Sequence, residues 1–324
     1  MFQTKVTQIL GVKYPLVVGT MVGLSKADLV AAVANAGAFT CIASAVLGPE
    51  GLREEIRKTK SLTDKPFGVN ISIFPMFKPA ENDAYIDIAI EEGVSVIETS
   101  GHSPEAYVQR IKKGNAKLMH KCARVRDART AERVGADIVE VVGFECGGHP
   151  SIEEVTTLVL LPQVVDAVRI PVVGGGGFCD ARGFVAALAL GAQGVLMGTR
   201  FMASRECPIH PNFKNAFVKA RETDTMIIQR SMGTPVRALR NKLALKVQEM
   251  EQKGATLEDL MPLVGGERAR MAWEVGDVDG SITPCGEAVG LIHEIATVRE
   301  LIDAVTGGVT EIYQRVGTLL GSVV

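Results

Sequence analysis

Several things are missing from this 324-residue chain, and each absence excludes something. It has no block of lysine or arginine, and its formal net charge is only -2. Neither nucleic acid nor an anionic membrane surface is therefore favoured as a partner. No apolar run reaches the length of a membrane span; "TTLVLLPQVV" is too short. The opening "MFQTKVTQILGVKYP" has no signal-peptide h-region. The six cysteines, Cys41, Cys122, Cys146, Cys179, Cys207 and Cys285, form no C-x-x-C pair. Reduced thiols in a cytoplasmic protein are the expectation. No low-complexity linker interrupts the chain. What is present is apolar residue, 47% of the total, enough to bury a substantial core.

The first two-thirds alternates short β-branched runs with Ala- or charge-rich helical stretches. Strands are expected at Pro15–Gly19, Phe39–Ser44, Phe67–Ser72, Val94–Thr99, Ala116–His120, Asp137–Val142, Pro171–Gly174 and Gly194–Met197. Helices fall between them. In "SKADLVAAVANAG", Ser25 reads as the N-cap and Gly37 as the stop. Eight such units over about 220 residues fit a TIM (β/α)8 barrel, typically about 250 residues long. The alternative is a doubly wound open sheet, but its Gly-rich turn belongs after the first strand. Here the richest glycine run follows the seventh. This places a barrel in residues 1–224. Residues 225–324 break the rhythm and read as a helical extension, from "VRALRNKLALKVQEMEQKG" onward, interrupted by "GDVDGSITPCG". A lid over the active face is one reading. Packing or a subunit interface is the other, which leaves a homodimer open.

Barrel sites lie at the C-terminal ends of the strands, and phosphate often binds after strands seven and eight. "GGGGF" (174–178) and "MGTRF" (197–201) fall there. Glycines let backbone N–H groups approach an anion, and a helix N-terminus adds its dipole. Gly176, Gly177, Gly198 and Thr199 are the phosphate candidates; the plain alternative is tight turns. Other strand ends carry Asn70, His102, His120 with Lys121, and the stretch "GFECGGHPS" with Glu145, Cys146 and His149. Three of the five histidines are thus expected on one face. Zinc sites show paired ligands at set spacing, and only Cys146 and His149 offer one pair, so no metal is expected. A Cys146 nucleophile with a His149 base is an option. The favoured reading has the glycines passing close to a flat ligand while His149 faces substrate, able to move a proton near neutral pH.

"PFGVN", "HKC", "GFECGGHP", "GGGGFCDARG", "GTRF" and "RECPIHP", in that order, resemble the nitronate monooxygenase (2-nitropropane dioxygenase) family of FMN-dependent barrels. "GFECGGHP" and "RECPIHP" resemble most the branch that works as NAD(P)H:quinone reductases. The Gly-Gly-His turn and "GDVDG" are also similar to FMN-dependent enoyl-ACP reductases. The resemblance implies FMN across the strand ends, with Asn70, Lys121, Gly148, Gly175, Gly176, Gly177, Gly198 and Thr199 on the cofactor. The backbone of Gly19, Thr20 and Met21 lines it, and Lys121 brings a positive charge to the ring or its tail. His149 falls on the family's active-site histidine. One departure is visible: relatives carry Gln-Gly-Gly-Met where this chain has Val18-Gly19-Thr20-Met21. The implied activity moves electrons from NADH or NADPH through FMN to a quinone or activated alkene. Oxidation of a nitronate is the alternative, and so is an enoyl-thioester reductase. A flavin-free isomerase or lyase on a phosphorylated small molecule and a non-catalytic flavin binder are the remote ones. The choice between NADH and NADPH would rest on loop residues such as those in "SIFPMFKPAEND", which carry no clear rule.

Overall fold

The computed structural model describes residues 2–74 and 81–321. Residues 75–80, much of the loop expected to choose between NADH and NADPH, lie outside them. Eight parallel strands, β1 (Leu16–Val18), β2 (Cys41–Ala43), β3 (Gly68–Ile73), β4 (Val96–Gly101), β5 (Lys117–Cys122), β6 (Ile138–Val142), β7 (Val172–Gly175) and β8 (Gly194–Met197), form one sheet. β1 pairs with β8 in parallel, and each of β2 to β7 pairs with the strand that follows it. The β1–β2 seam closes through Phe39: Val18 N donates to Phe39 O at 2.7 Å, and Phe39 N donates to Leu16 O at 2.9 Å. The fold is a TIM barrel. Every expected strand is present, shifted by a residue or two at the ends.

Helices follow the strands: α1 (Lys5–Leu10), α2 (Ala27–Asn35), α3 (Gly48–Leu62), α4 (Asn82–Glu91), α5 (Glu105–Lys113), α6 (Val125–Val134), α7 (Thr157–Ala167), α8 (Ala181–Ala189), α9 (Thr199–Met202) and α10 (Pro211–Lys219). Strand alternation sorts their partners. One set of side chains, including Val69, Ile71, Ile97, Leu118, Val139 and Val195, packs outward under the helices. The other set, including Val17, Cys41, Val96, Met119, Ile138, Val173 and Leu196, fills the barrel with Val6 and Leu10 of α1. That apolar plug is at the N-terminal end. Truncating Phe39, fully buried in it, would cost about 3–5 kcal/mol. Above it the interior turns polar, and this change positions the site.

One cap expectation fails. The α2 N-cap is Lys26 and makes no side-chain cap. Ser25 instead accepts from Met21 N at 2.9 Å, holding the turn after β1, and Glu55 takes the Ala27 N–H at 2.7 Å. A carboxylate from α3 outcompetes the short hydroxyl because it also complements the helix dipole.

The C-terminal segment is not helical throughout. β9 (Thr225–Ile228) and β10 (Val236–Leu239) make an antiparallel hairpin, so the expected helix at "VRAL" is a strand. Met226, Ile228, Val236 and Ala238 join Leu243, Ala244, Val247, Leu260 and Ile282 in a small core. The alternate residues, Arg237 and Leu239, face elsewhere; a two-residue period hid inside an apparently helical stretch. Helices α11 (Lys242–Gln252), α12 (Leu257–Val264) and α13 (Gly266–Val275) follow. Then α14 (Val298–Gly307) returns to the barrel, burying Val298, Leu301, Ile302 and Val305 against its helices. Finally α15 (Val309–Leu320) leans on α8. Among the described residues, no helix is long and apolar enough to cross a membrane.

Candidate active site

The loops at the C-terminal ends of β7 and β8 lie side by side, because the strands themselves pair. Gly176 and Gly177 take φ of +98° and +77°, a region closed to most side chains. Among the described residues, nothing accepts a hydrogen bond from the N–H groups of Gly176, Gly177, Phe178 or Thr199. A Cβ added at Gly198 would meet only open space. These are unpaired donors around a gap, the form an anion cradle takes. The α8 N-terminus adds nothing to it: Asp180 already accepts from Arg182 N and Gly183 N. Behind the cradle, the Thr157 hydroxyl lies 3.1 Å from Gly175 O and 3.0 Å from Gly176 O. Glu145 anchors that threonine, its carboxylate 2.9 Å from Thr157 N and 3.0 Å from Thr157 Oγ1. Glu145 is therefore the charge at the start of α7.

The rest of "GFECGGHP" separates into distinct roles. A Cβ on Gly147 would come within 2.7 Å of the Cys285 and Gly286 backbone, so this glycine admits the C-terminal loop and not a ligand ring. Gly148, at φ +79°, has open space on its Cβ side. Its backbone pairs with Arg237, with Gly148 N donating to Arg237 O at 3.1 Å and Arg237 N to Gly148 O at 2.7 Å. Burial pushes the Cys146 thiol up to about 12, which removes it as a nucleophile near neutral pH. His149 is exposed at the rim, its ring 5.1 Å from that of Phe74. Partial desolvation on its inner side lowers its pKa below the ordinary histidine value. His102 is also at the rim, its ring 6.5 Å from that of Phe74.

His120 is not with them. It points outward from β5 into the helix layer, buried, with Nδ1 2.8 Å from Thr99 Oγ1. Alternation along the strand sends its neighbour Lys121 inward instead. Two histidines, not three, share the active face.

Inside the upper barrel, three residues singled out from the sequence converge on a fourth that was not. Thr20 Oγ1 donates to Glu98 at 2.6 Å, Asn70 Nδ2 donates to it at 2.8 Å, and the Lys121 ammonium forms an ion pair with it. Glu140 lies 3.4 Å from the same ammonium. The signal was available: Glu98 and Glu140 interrupt "VSVIETS" and "ADIVEVV" at inward positions on the strands flanking β5. The departure at Thr20 thus feeds a buried polar cluster. The departure at Val18 faces away, fully buried in the core between barrel and helices.

Arg237 was missed because its segment read as helix. Its guanidinium is buried, 4.8 Å over the Phe144 ring. It donates to Phe144 O at 3.2 Å and Thr225 Oγ1 at 3.1 Å, and pairs with Glu287 at 2.8 Å. "RECPIHP" connects rather than catalyses: Glu206 accepts from Val298 N at the start of α14, and His210 caps α10. Beside the glycine loops, a cavity of about 390 Å³ is lined in part by Asp180, Arg182, Arg200, His293 and Glu294. Its charges are largely paired, Arg182 with Asp180 and Arg200 with Glu294.

Residues 3–308 match the sequence profile of the family described as nitronate monooxygenase. The chain belongs to the nitronate monooxygenase family. Among curated members, a probable nitronate monooxygenase of Staphylococcus saprophyticus is 32% identical, covering 77% of this chain and 82% of its own. A (3aS,4S,5R,7aS)-5-hydroxy-7a-methyl-1-oxo-octahydro-1H-indene-4-carboxyl-CoA dehydrogenase of Rhodococcus jostii is 30% identical, over 98% of each chain. Among solved structures, FabK from Thermotoga maritima superposes with a TM-score of 0.91 at 37% identity, covering 98% of this chain and 99% of its own. A nitroalkane oxidase from Streptomyces ansochromogenes gives 0.83 at 25% identity, with 96% and 99% covered. This family membership makes the chain an oxidoreductase.

Proposed function

We propose that this family member is an FMN-dependent oxidoreductase that takes electrons from NADH or NADPH and passes them to an activated alkene or a quinone. The observation that carries the cofactor is the pair of adjacent glycine loops with unpaired N–H groups. Gly175, Gly176, Gly177, Gly198 and Thr199 would hold the FMN phosphate there. Gly19, Thr20, Met21, Asn70, Lys121 and Gly148 would line the ring and its chain. FMN, when bound, supplies a ring that accepts hydride and returns electrons to a second substrate.

The protein's own groups do the rest. His149, neutral at pH 7 and placed at the rim, donates or accepts a hydrogen bond to substrate and can take up a proton. Phe74 beside it offers an apolar face to a planar group. Two relatives matched along their whole length support an acyl-thioester acceptor: one is named a carboxyl-CoA dehydrogenase, and FabK is the other. The Gly147–Gly148–His149 turn and Gly276–Gly280 carry the same resemblance to enoyl reductases.

Oxidation of an alkyl nitronate, with oxygen as final acceptor, is the second reading. The nitroalkane oxidase likeness and a histidine placed as a base favour it. Anaerobic mixing of the flavin-loaded protein with NADH, NADPH or a nitronate separates the two. Bleaching of the oxidised flavin band by a nicotinamide, with reoxidation by an enoyl-CoA or a quinone, supports the first. Bleaching by nitronate alone supports the second, and no bleaching by any of them rejects both.

A further inference from the structure

The upper barrel holds two fully buried carboxyl groups around one half-buried ammonium. The Glu98 side chain is 1% exposed and that of Glu140 0%. Their partners are unequal. Glu98 receives Thr20, Asn70 and Lys121. Among the described residues, neither oxygen of Glu140 has a hydrogen-bond donor, and Lys121 stands off at 3.4 Å. Cys41 of β2 also faces the cluster, and its buried thiol is held neutral by desolvation and the nearby acids. Among the described residues, no second cation balances the second carboxylate.

If both acids were ionised, the cluster would carry one surplus negative charge and two bare oxygens in the barrel interior. Isolated buried charges of that kind are strongly disfavoured. A single proton resolves both difficulties. It cancels the surplus charge and turns one bare oxygen into a donor, with the Glu98 carboxylate, held on the same Lys121 ammonium, as its neighbouring acceptor.

We infer that Glu98, Lys121 and Glu140 form a neutral, proton-sharing triad. Glu98 is the carboxylate paired with Lys121, and Glu140 is a neutral acid whose O–H points to Glu98. Burial and charge act in the same sense as the geometry. Burial pushes Glu140 well above the usual carboxyl range, with Glu98 adding to it. Burial works on Glu98 in the same direction, but Lys121 and the hydrogen bonds override it and bring Glu98 down to about 2. For Lys121, burial opposes the charge while the two acids more than restore it.

This changes what Lys121 contributes. Its charge is already compensated, so the barrel floor presents an oriented ammonium with no net charge to whatever binds above the strand ends. Glu140 is a positioning residue: it keeps Lys121 paired to Glu98 without adding a competing charge. The consequence for a bound flavin rests on the proposed function. The protonation does not.

Infrared difference spectra of the purified protein at neutral pH, wild type minus Glu140→Gln, test the protonation directly. The expected result is a protonated-carboxyl C=O band, separate from carboxylate bands and shifted in D2O, that is lost in the variant. Absence of the band, or its persistence in Glu140→Gln, overturns the triad. Thermal unfolding against pH gives a second measure that a packing role would not move. A raised folded pKa contributes stability that is complete below the unfolded value, about 4.3, and is lost as pH rises toward the folded one. Glu140→Gln, an isostere of the neutral acid, therefore gains in melting temperature relative to wild type as pH rises. A variant destabilised equally at every pH overturns the inference. Neither measurement requires flavin, so a failure of the flavin reading leaves both intact.

Discussion

Gly148 and Arg237 exchange both backbone hydrogen bonds, at 3.1 and 2.7 Å, and so tie the loop after β6 to the C-terminal hairpin. The Arg237 side chain secures the same junction through Phe144, Thr225 and Glu287. Arg237→Ala is expected to lose about 2 kcal/mol of stability, the order expected for charge-assisted hydrogen bonds. Arg237→Lys should recover little, because an ammonium cannot reproduce the planar fork. Urea denaturation of both variants checks this; full recovery by lysine would contradict the geometry.

The two glycines of the same turn should respond differently to alanine. At Gly147 the new methyl meets backbone at 2.7 Å and must displace the Cys285–Gly286 loop. At Gly148 it meets open space and pays only for its positive φ, about 1 kcal/mol. Gly147→Ala is expected to be the more destabilising and to lower ligand retention. Equal melting temperatures for the two variants would contradict the assignment.

His120 should make the protein acid-sensitive. Burial lowers its pKa to about 4. A histidine depressed in the folded state stabilises above its unfolded pKa, about 6.5, and that stability is lost as pH falls toward 4. The loss is on the order of 3 kcal/mol at most, from about 1.4 kcal/mol per pKa unit. His120→Gln should show a shallower fall over this window in pH-dependent unfolding. An unchanged slope would place the acid sensitivity elsewhere.

His149 is the residue most exposed to a functional test. If it moves a proton, His149→Gln should lower kcat by about 10²- to 10⁴-fold. Flavin content should not change, since the ring lies at the rim, 5.1 Å from that of Phe74. In wild type, activity should fall on acidification with a midpoint below the ordinary histidine value, because desolvation lowers this pKa. A retained acid limb in His149→Gln would assign the titration to another group.

Cys146→Ala should leave activity within about twofold, since a thiol held near 12 supplies almost no thiolate at neutral pH. Alkylation kinetics under native conditions should show Cys146 as unreactive. Rapid labelling coupled to loss of activity would reopen its role as a nucleophile.

The barrel was legible because its signals are local. Each β-branched run, each amphipathic helix and each glycine turn can be read within a dozen residues, and their count and order imply the closed sheet. The glycine loops after β7 and β8 and His149 after β6 were legible for the same reason. The β9–β10 hairpin was not, because "VRAL" runs directly into a strong helix and its strand identity depends on pairing with Thr225–Ile228, across the turn. Strand direction misled at His120, where a shift of one residue decides between the barrel interior and the helix layer.

By itself, the sequence determined the (β/α)8 order, the strand ends that carry chemistry and the family resemblance. Only the tertiary structure decided which of those residues meet. It brought Thr20, Asn70 and Lys121, from three separate strand ends, onto the buried Glu98, and left Glu140 beside them without a donor. It also sent Val18 and His120 away from the site. The physical reason is that periodicity fixes where a side chain can point along one strand, whereas charge pairing in the barrel depends on the register of five strands at once.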